Sequence, residues 1–213
     1  MPDSIRVGMT SVPLSFPEEA GVKHDFLACA IRNDYGLGQR LKCPRTILDV
    51  GANVGFFSLC ARSFYPTAKI HAYEPNPRIF PFLEQNVSKC DVTLFQEALG
   101  AKSGRATLVD AADSNLATTQ SVPDGPISQT SLASVLSRIG GHVDLLKLDC
   151  EGAEWDLFEA SECWDAVGAL RMEYHLLGSH TIKELQVRLS ELRFGITRCI
   201  PEGSNFGLLW AEH

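Results

Sequence analysis

Residues 46 to 55, Thr-Ile-Leu-Asp-Val-Gly-Ala-Asn-Val-Gly, constrain the fold more than any other stretch of the chain. Ile47, Leu48 and Val50 form a short aliphatic and β-branched run that suits a strand buried on both faces. The run closes on Asp49-Val50 and breaks into spaced glycines, the pattern of a strand, a tight turn and a helix start. Gly51 and Gly55 let that turn bend and let its backbone approach a ligand closely. In an open α/β sheet the ligand lies in the crevice beyond the carboxyl end of such a strand.

The rest of the chain repeats the alternation. Phe56, Phe57, Leu59 and Cys60 fit a helix packed on a sheet, and residues 68–73 read as a second strand ending at Glu74, which makes a βαβ unit. Asn76-Pro77 is an N-cap and first-turn pair for a helix carrying Ile79, Phe80, Leu83 and Val87, with Pro81 early in it. Further strands are expected at 92–95, 143–148 and 169–174, and a short extra one at 104–109. Helices are expected around Leu132, Val135, Leu136 and Ile139, stopped by Gly140-Gly141, and over 153–160. Thr181-Ile-Lys-Glu184 is a capping box opening a helix that Gly195 is placed to end. Residues 196–200 and 206–211 flank a turn as a closing hairpin. Residues 1–24 show little periodicity and read as an irregular arm, followed by a short helix from Asp25 that is a candidate cover for the crevice; residues 110–126 read as a polar surface loop.

Composition narrows the partners. A net charge of -7 with no block of like charges disfavours nucleic acid or an anionic membrane surface and favours a small molecule. No apolar run approaches the roughly 18 residues of a membrane span, and the first residues lack a signal-peptide pattern, so a soluble cytoplasmic protein is expected. Seven scattered cysteines without Cys-x-x-Cys spacing read as reduced thiols.

Polar residues gather at the predicted strand ends: Asp49 with Asn53, Glu74 with Asn76, Asp149 with Glu151, and Glu173 with His175. Glu74 lies 23 positions after Gly51 (74 minus 51), near the offset at which an acid after the second strand bonds a ribose diol. A nicotinamide cofactor would want glycine at the second position of the turn; Asn53 stands there, which suits a ligand with ribose and adenine but no phosphate.

Four segments together resemble the S-adenosylmethionine-dependent methyltransferases of the FkbM type: Asp49-Val-Gly-Ala-Asn-Val-Gly55, Tyr73-Glu-Pro-Asn76, Lys147-Leu-Asp-Cys-Glu-Gly-Ala-Glu154 and Glu173-Tyr-His175. The resemblance covers about residues 46–212. It implies a doubly wound, mostly parallel, seven-stranded Rossmann-like sheet with an antiparallel C-terminal hairpin over residues 46–213 as the cofactor-binding domain; the chain departs from the family in residues 1–45, which offer only a small arm or cap. It also implies S-adenosylmethionine as cofactor, contacted by Gly51, Asn53, Glu74 and the Glu97-Ala98 region, with Asp49, Gly55 and Asn76 completing the candidate set. The expected reaction is O-methylation of a hydroxyl on a sugar or natural product. Asp149 and His175 are alternative general bases, with Glu151 and Glu173 orienting; Asp149, Glu173 and His175 holding Mg²⁺ is a further arrangement, left open and without an observed ligand triad. A nicotinamide-dependent oxidoreductase and a non-catalytic S-adenosylmethionine-binding protein are the rival readings.

Overall fold

The computed structural model describes residues 1–213 except 42, 110, 112 and 160, and residue 161 by its backbone alone. The chain opens with a hairpin, β1 (Ser4–Val7) and β2 (Thr10–Pro13), followed by α1 (Ala20–Phe26) and a π-helical continuation, Leu27–Arg32. The central layer is formed by β3 (Thr46–Val50), β4 (Lys69–Tyr73) and β5 (Val92–Phe95) on one side. β10 (Leu145–Leu148), β11 (Ala169–His175), β12 (Gly195–Pro201) and β13 (Phe206–Glu212) complete it. Their order is β12-β13-β11-β10-β3-β4-β5, all parallel except β13, which runs antiparallel to both neighbours. The order reverses between β3 and β10, which places a crevice at their carboxyl ends.

The burial of β3 from Ile47 to Val50 explains the doubly wound arrangement. Successive side chains of a strand point to opposite faces, so Ile47 and Leu48 join different cores. Ile47 packs with α2 (Phe56–Phe64), α3 (Phe80–Val87) and Val7, Val12 and Val22 of the leading segment. Leu48 and Val50 pack with α4 (Leu132–Ile139), α5 (Glu154–Glu159) and α6 (Ile182–Glu191). A second sheet of four strands, in the order β6-β9-β7-β8, stands beside the first; it comprises β6 (Glu97–Gly100), β7 (Gly104–Val109), β8 (Thr118–Ser121) and β9 (Ile127–Ser131). No helix of the described residues is long and apolar enough to cross a membrane.

Several local expectations are corrected. Residues 1–24 are not an irregular arm: they hold the hairpin and most of α1, pinned where Asn86 bonds both backbone groups of Ser15. The helix expected from Asp25 starts five residues earlier. Residues 110–126 are not a plain loop, since they include a 3₁₀ turn (Ser114–Leu116) and β8; Asp110 lies outside the described residues. The helix after Asn76 begins at Phe80, and Asn76 instead anchors the preceding turn through Arg78 N–H at 2.9 Å and the N–H groups of Ile79 and Phe80. Pro81 costs it nothing, since first-turn N–H groups have no helical acceptor. α5 spans Glu154–Glu159, and Ala160, the expected end, lies outside the described residues. β10 starts at Leu145, with Val143 only bridging Val167. α6 ends before Gly195: Arg193, at φ 64°, takes the left-handed position expected of the glycine, and Gly195 opens β12. The Thr181–Glu184 capping box is present as read.

Gly51 has a further reason beyond the one its sequence context offers. At φ +72°, its missing Cβ would lie 1.7 Å from the carbonyl oxygen of Asp149, so the glycine serves contact between two strand ends of the sheet itself. Gly51→Ala is therefore expected to destabilise the fold by about 2 to 5 kcal/mol, summing a left-handed alanine and a forced backbone shift. Urea unfolding measures this, and a loss below about 1 kcal/mol contradicts it.

Candidate functional site

The turn after β3 is built from backbone bonds. The N–H groups of Gly51 and Ala52 both donate to Tyr73 O at 3.0 Å, tying the turn to the end of β4. Asn53 adopts φ 47°, which turns its N–H onto Glu74 Oε2 at 2.9 Å, while Glu74 Oε1 accepts the Asn76 N–H at 2.8 Å. Glu74 is thus held by two main-chain donors at the bottom of the crevice. Burial pushes its carboxyl up to about 7 against these two bonds, which favour the ionised form.

Two adjoining cavities flank this turn. The larger encloses about 620 Å³ of empty space, counting its mouth, and is lined by Gly51, Asn53, Glu74, Asn76, Glu97 and Ala98 among others. Asn53 Oδ1 and Asn76 Nδ2 are buried there with no hydrogen-bond partner among the described residues, so the cavity offers an acceptor and a donor to a polar ligand. On the far wall Tyr73 stacks on Phe95 at 4.6 Å, and Glu97 pairs with Arg138 at 2.6 Å. The narrower cavity shares Asp25, Gly51, Asn53 and Asp149 with the first and adds Tyr35, Lys147 and Glu173.

Asp149 stands where the two cavities meet. Its Oδ2 accepts the Tyr35 hydroxyl at 3.1 Å and lies 3.3 Å from Lys147 Nζ. Lys147 is buried, with Asp49 Oδ1 at 3.5 Å, and the carboxylates around it outweigh burial and raise its affinity for its proton. Asp49 lines neither cavity: it is fully buried beneath the turn, where Ser58 Oγ donates to its Oδ2 at 2.7 Å. Gly55 is also outside them, opening α2 at φ +92° with Leu83 and Val87 packed against its Cα.

His175 faces glutamates on three sides. Its Nε2 is 3.2 Å from Glu151 and 3.9 Å from Glu173, its Nδ1 is 3.5 Å from Glu154, and it lines neither cavity. Burial lowers its pKa, but the Glu154 and Glu151 carboxylates outweigh that and raise it to about 9, so the ring is a cation at neutrality. Burial and the neighbouring Asp149 raise both Glu151, at φ 52°, and Glu173. Among the described residues no cluster of three or more His, Cys, Asp or Glu side chains is arranged to hold a metal ion.

Four residues of the site were not singled out from the sequence. Lys147 lay within a quoted segment without a role, and nothing local marked Asp25, Tyr35 or Asn115. Asp25 accepts from Asn53 Nδ2 at 3.1 Å and from Asn115 Nδ2 at 2.6 Å, and burial with Asp149 nearby lifts its carboxyl to about 7. The same side of the cavity is clasped by Glu19, which accepts Ser114 N–H at 2.7 Å and pairs with Arg78, and by Asp113, which accepts Gly21 N–H at 2.7 Å.

This geometry can be set beside known proteins. The model of the methyltransferase FkbM domain matches residues 49–194, well over half of the chain. The chain belongs to the FkbM methyltransferase family. Methyltransferase sdnD of Sordaria araneosa is 42% identical over 64 residues, 29% of this chain and 25% of that protein. Methyltransferase 1 of Beauveria bassiana is 27% identical over 157 residues, 60% of this chain and 63% of that protein. The chain thus spans less than two thirds of either relative. In fold it is similar to Aeropyrum pernix fibrillarin, solved with natively bound S-adenosyl-L-methionine, at a TM-score of 0.55 and 12% identity, covering 87% of this chain and 76% of that one. The matched residues, 49–194, include the turn, Glu74, Lys147 and Asp149, whereas Asp25 and Tyr35 precede them.

The buried carboxyls give the domain a pH signature. Asp25 and Glu74, ordinarily 3.8 and 4.5, hold their protons more tightly when folded, and so do Glu151 and Glu173. Their contribution to stability is full below the unfolded values and is lost as pH rises through the folded ones. The raised His175 acts in the same direction, full below 6.5 and lost through about 9. The melting temperature of the unliganded protein is therefore expected to fall from about pH 5 to about pH 9, and a rise across that interval would contradict the arrangement.

Proposed function

We propose that this chain is an S-adenosylmethionine-dependent methyltransferase that methylates a hydroxyl of a small-molecule natural product or sugar, with Asp149 as the general base. The observation that carries the reading is the position of Asp149, an acid at the junction of the two cavities within an FkbM domain. The larger cavity would hold the cofactor. Glu74 keeps lone pairs on both oxygens for a ribose diol, Asn53 Oδ1 and Asn76 Nδ2 are unmatched polar atoms, and Gly51 and the Glu97-Ala98 edge supply its walls. When bound, S-adenosylmethionine supplies an electrophilic methyl carbon whose C–S bonding pair leaves with sulfur.

The narrower cavity would take the acceptor. Its hydroxyl O–H bond breaks, the proton passes to Asp149, and the freed electron pair on oxygen forms the new C–O bond. Holding the acceptor oxygen near and aligned supplies much of the rate, and the Asp25, Asn53 and Asn115 network closes that approach. Between the two alternative bases the geometry favours Asp149, because His175 lines neither cavity and both of its ring nitrogens face glutamates. Its role is to fix Glu151 and Glu173 beside Asp149. The net charge of -7 and the modest cavity size accord with a small acceptor in preference to nucleic acid.

Calorimetric titration with S-adenosylmethionine and with NAD tests the cofactor; saturable binding of NAD alone overturns the reading. Glu74→Ala is expected to weaken S-adenosylmethionine by about 1.5 to 3 kcal/mol, the worth of a charged acceptor on a diol. Unchanged affinity in a folded Glu74→Ala variant removes that residue from the site. A panel of sugars and hydroxylated metabolites, assayed for S-adenosylhomocysteine release, identifies the acceptor. With it, Asp149→Asn is expected to lose roughly 10²- to 10⁴-fold in single-turnover rate with cofactor affinity nearly intact, and His175→Ala to lose less.

A further inference from the structure

The two oxygens of Asp149 are not equivalent. Oδ2 receives the Tyr35 hydroxyl and faces the Lys147 ammonium, whereas Oδ1 makes no hydrogen bond among the described residues. Lys147, on β10, is 4% exposed; its Nζ also donates to Gly51 O at 2.5 Å, so it reaches Asp149 from the floor of the turn. Tyr35 comes from the segment ahead of β3 and is 5% exposed, with its ring at 80° to Phe57 and 5.8 Å from Lys147 Nζ. Neither group has room to turn away. Resting on the reading of Asp149 as base, we propose that Lys147 and Tyr35 are positioning residues that together occupy Oδ2 and leave Oδ1 as the oxygen receiving the acceptor's proton.

The charges around Asp149 explain why such an arrangement is needed. Asp25 faces it from α1, Glu151 from its own turn, and Glu173 from β11. Asp49 approaches from β3, with the thiols of Cys29 and Cys150 alongside. Opposite them stand Lys147, the one lysine or arginine lining either cavity among the described residues, and His175, whose charge is shared among three glutamates. A carboxylate among so many buried acidic groups, several of which hold their protons tightly, would turn toward any available donor. Fastening one oxygen to a fixed ammonium and a fixed phenol prevents that, and it also links the base to the turn through Gly51 O.

Carbon-13 NMR of the full chain, labelled at its aspartate side-chain carboxyls, tests this without an acceptor. The Asp149 signal is assigned by its loss in Asp149→Asn and followed against pH. Tyr35→Phe is expected to move its midpoint upward, and Lys147→Met to move it upward by about 1 to 3 pH units. Because Lys147→Met leaves Asp49 buried without its cation, which costs folding stability, Asp49→Asn/Lys147→Met is compared with Asp49→Asn alone, a pair that isolates the lysine without stranding a charge. Midpoints that match their parents in both comparisons overturn the proposal, and a shift in only one overturns the joint assignment. Turnover in Asp149→Asn is read separately with the acceptor panel: full activity there removes the base, whereas an unmoved carboxyl titration removes Lys147 and Tyr35 as its neighbours.

Discussion

The site depends on a contact between two backbones at the carboxyl end of the sheet. The carbonyl of Asp149 occupies the volume that a side chain at Gly51 would fill, so the ends of β3 and β10 approach more closely than any other residue at position 51 would allow. That approach puts the turn after β3 and the acid after β10 within reach of one lysine. Lys147 then joins them from beneath, touching Gly51 O, Asp49 and Asp149. The two strands are neighbours in the sheet, with Lys147 paired to Asp49 in register, so the arrangement follows from the sheet topology.

Electrostatics makes this junction expensive to build. Asp25, Asp49, Glu74, Glu151 and Glu173 all hold their protons more tightly than free carboxyls do, chiefly because burial penalises the charged form. Backbone N–H groups offset part of that cost at Glu74, and Lys147 and His175 offset part of it around Asp149. What remains uncompensated is concentrated where a cationic sulfonium and a hydroxyl would be received, the complement a methyl-transfer site requires.

The elements that the sequence announces are those whose causes are local. β3, its glycine turn, Glu74 after β4 and the closing hairpin carry their signals within a few residues, and the Thr181 capping box is complete in four. Residues 1–24 and 110–126 were misread because what orders them is distant. The hairpin is held by Asn86 and by core contacts of Val7 and Val12, and the 3₁₀ turn by Glu19 and Gly21. Arg193 replaced a predicted glycine because a left-handed residue is strained, not forbidden, outside glycine. At the site, strand-end acids were visible as a class, but their division was not. Asp49 turns inward to Ser58, Asp149 outward to the cavities, and His175 away into its glutamates; only packing distinguishes these.

The bonds that define the two halves of the site differ in how far along the chain they reach. Glu74 meets Asn53 and Asn76 across 21 and 2 positions, so its bonds close within a single βαβ unit and the turn after it. Tyr35 meets Asp149 across 114 positions, Gly21 meets Asp113 across 92, and Asn53 meets Asn115 across 62. Contacts of that span carry the larger loop-closure entropy and form late. The bonds that fix Glu74 therefore need only this unit and the turn that follows it, although Glu97 and Ala98 of the same cavity come later in the chain. Of the two groups on Asp149 Oδ2, Lys147 comes with β10 itself, whereas Tyr35 arrives only when the leading segment docks on the sheet, so the full fastening of the proposed base waits on completion of the fold.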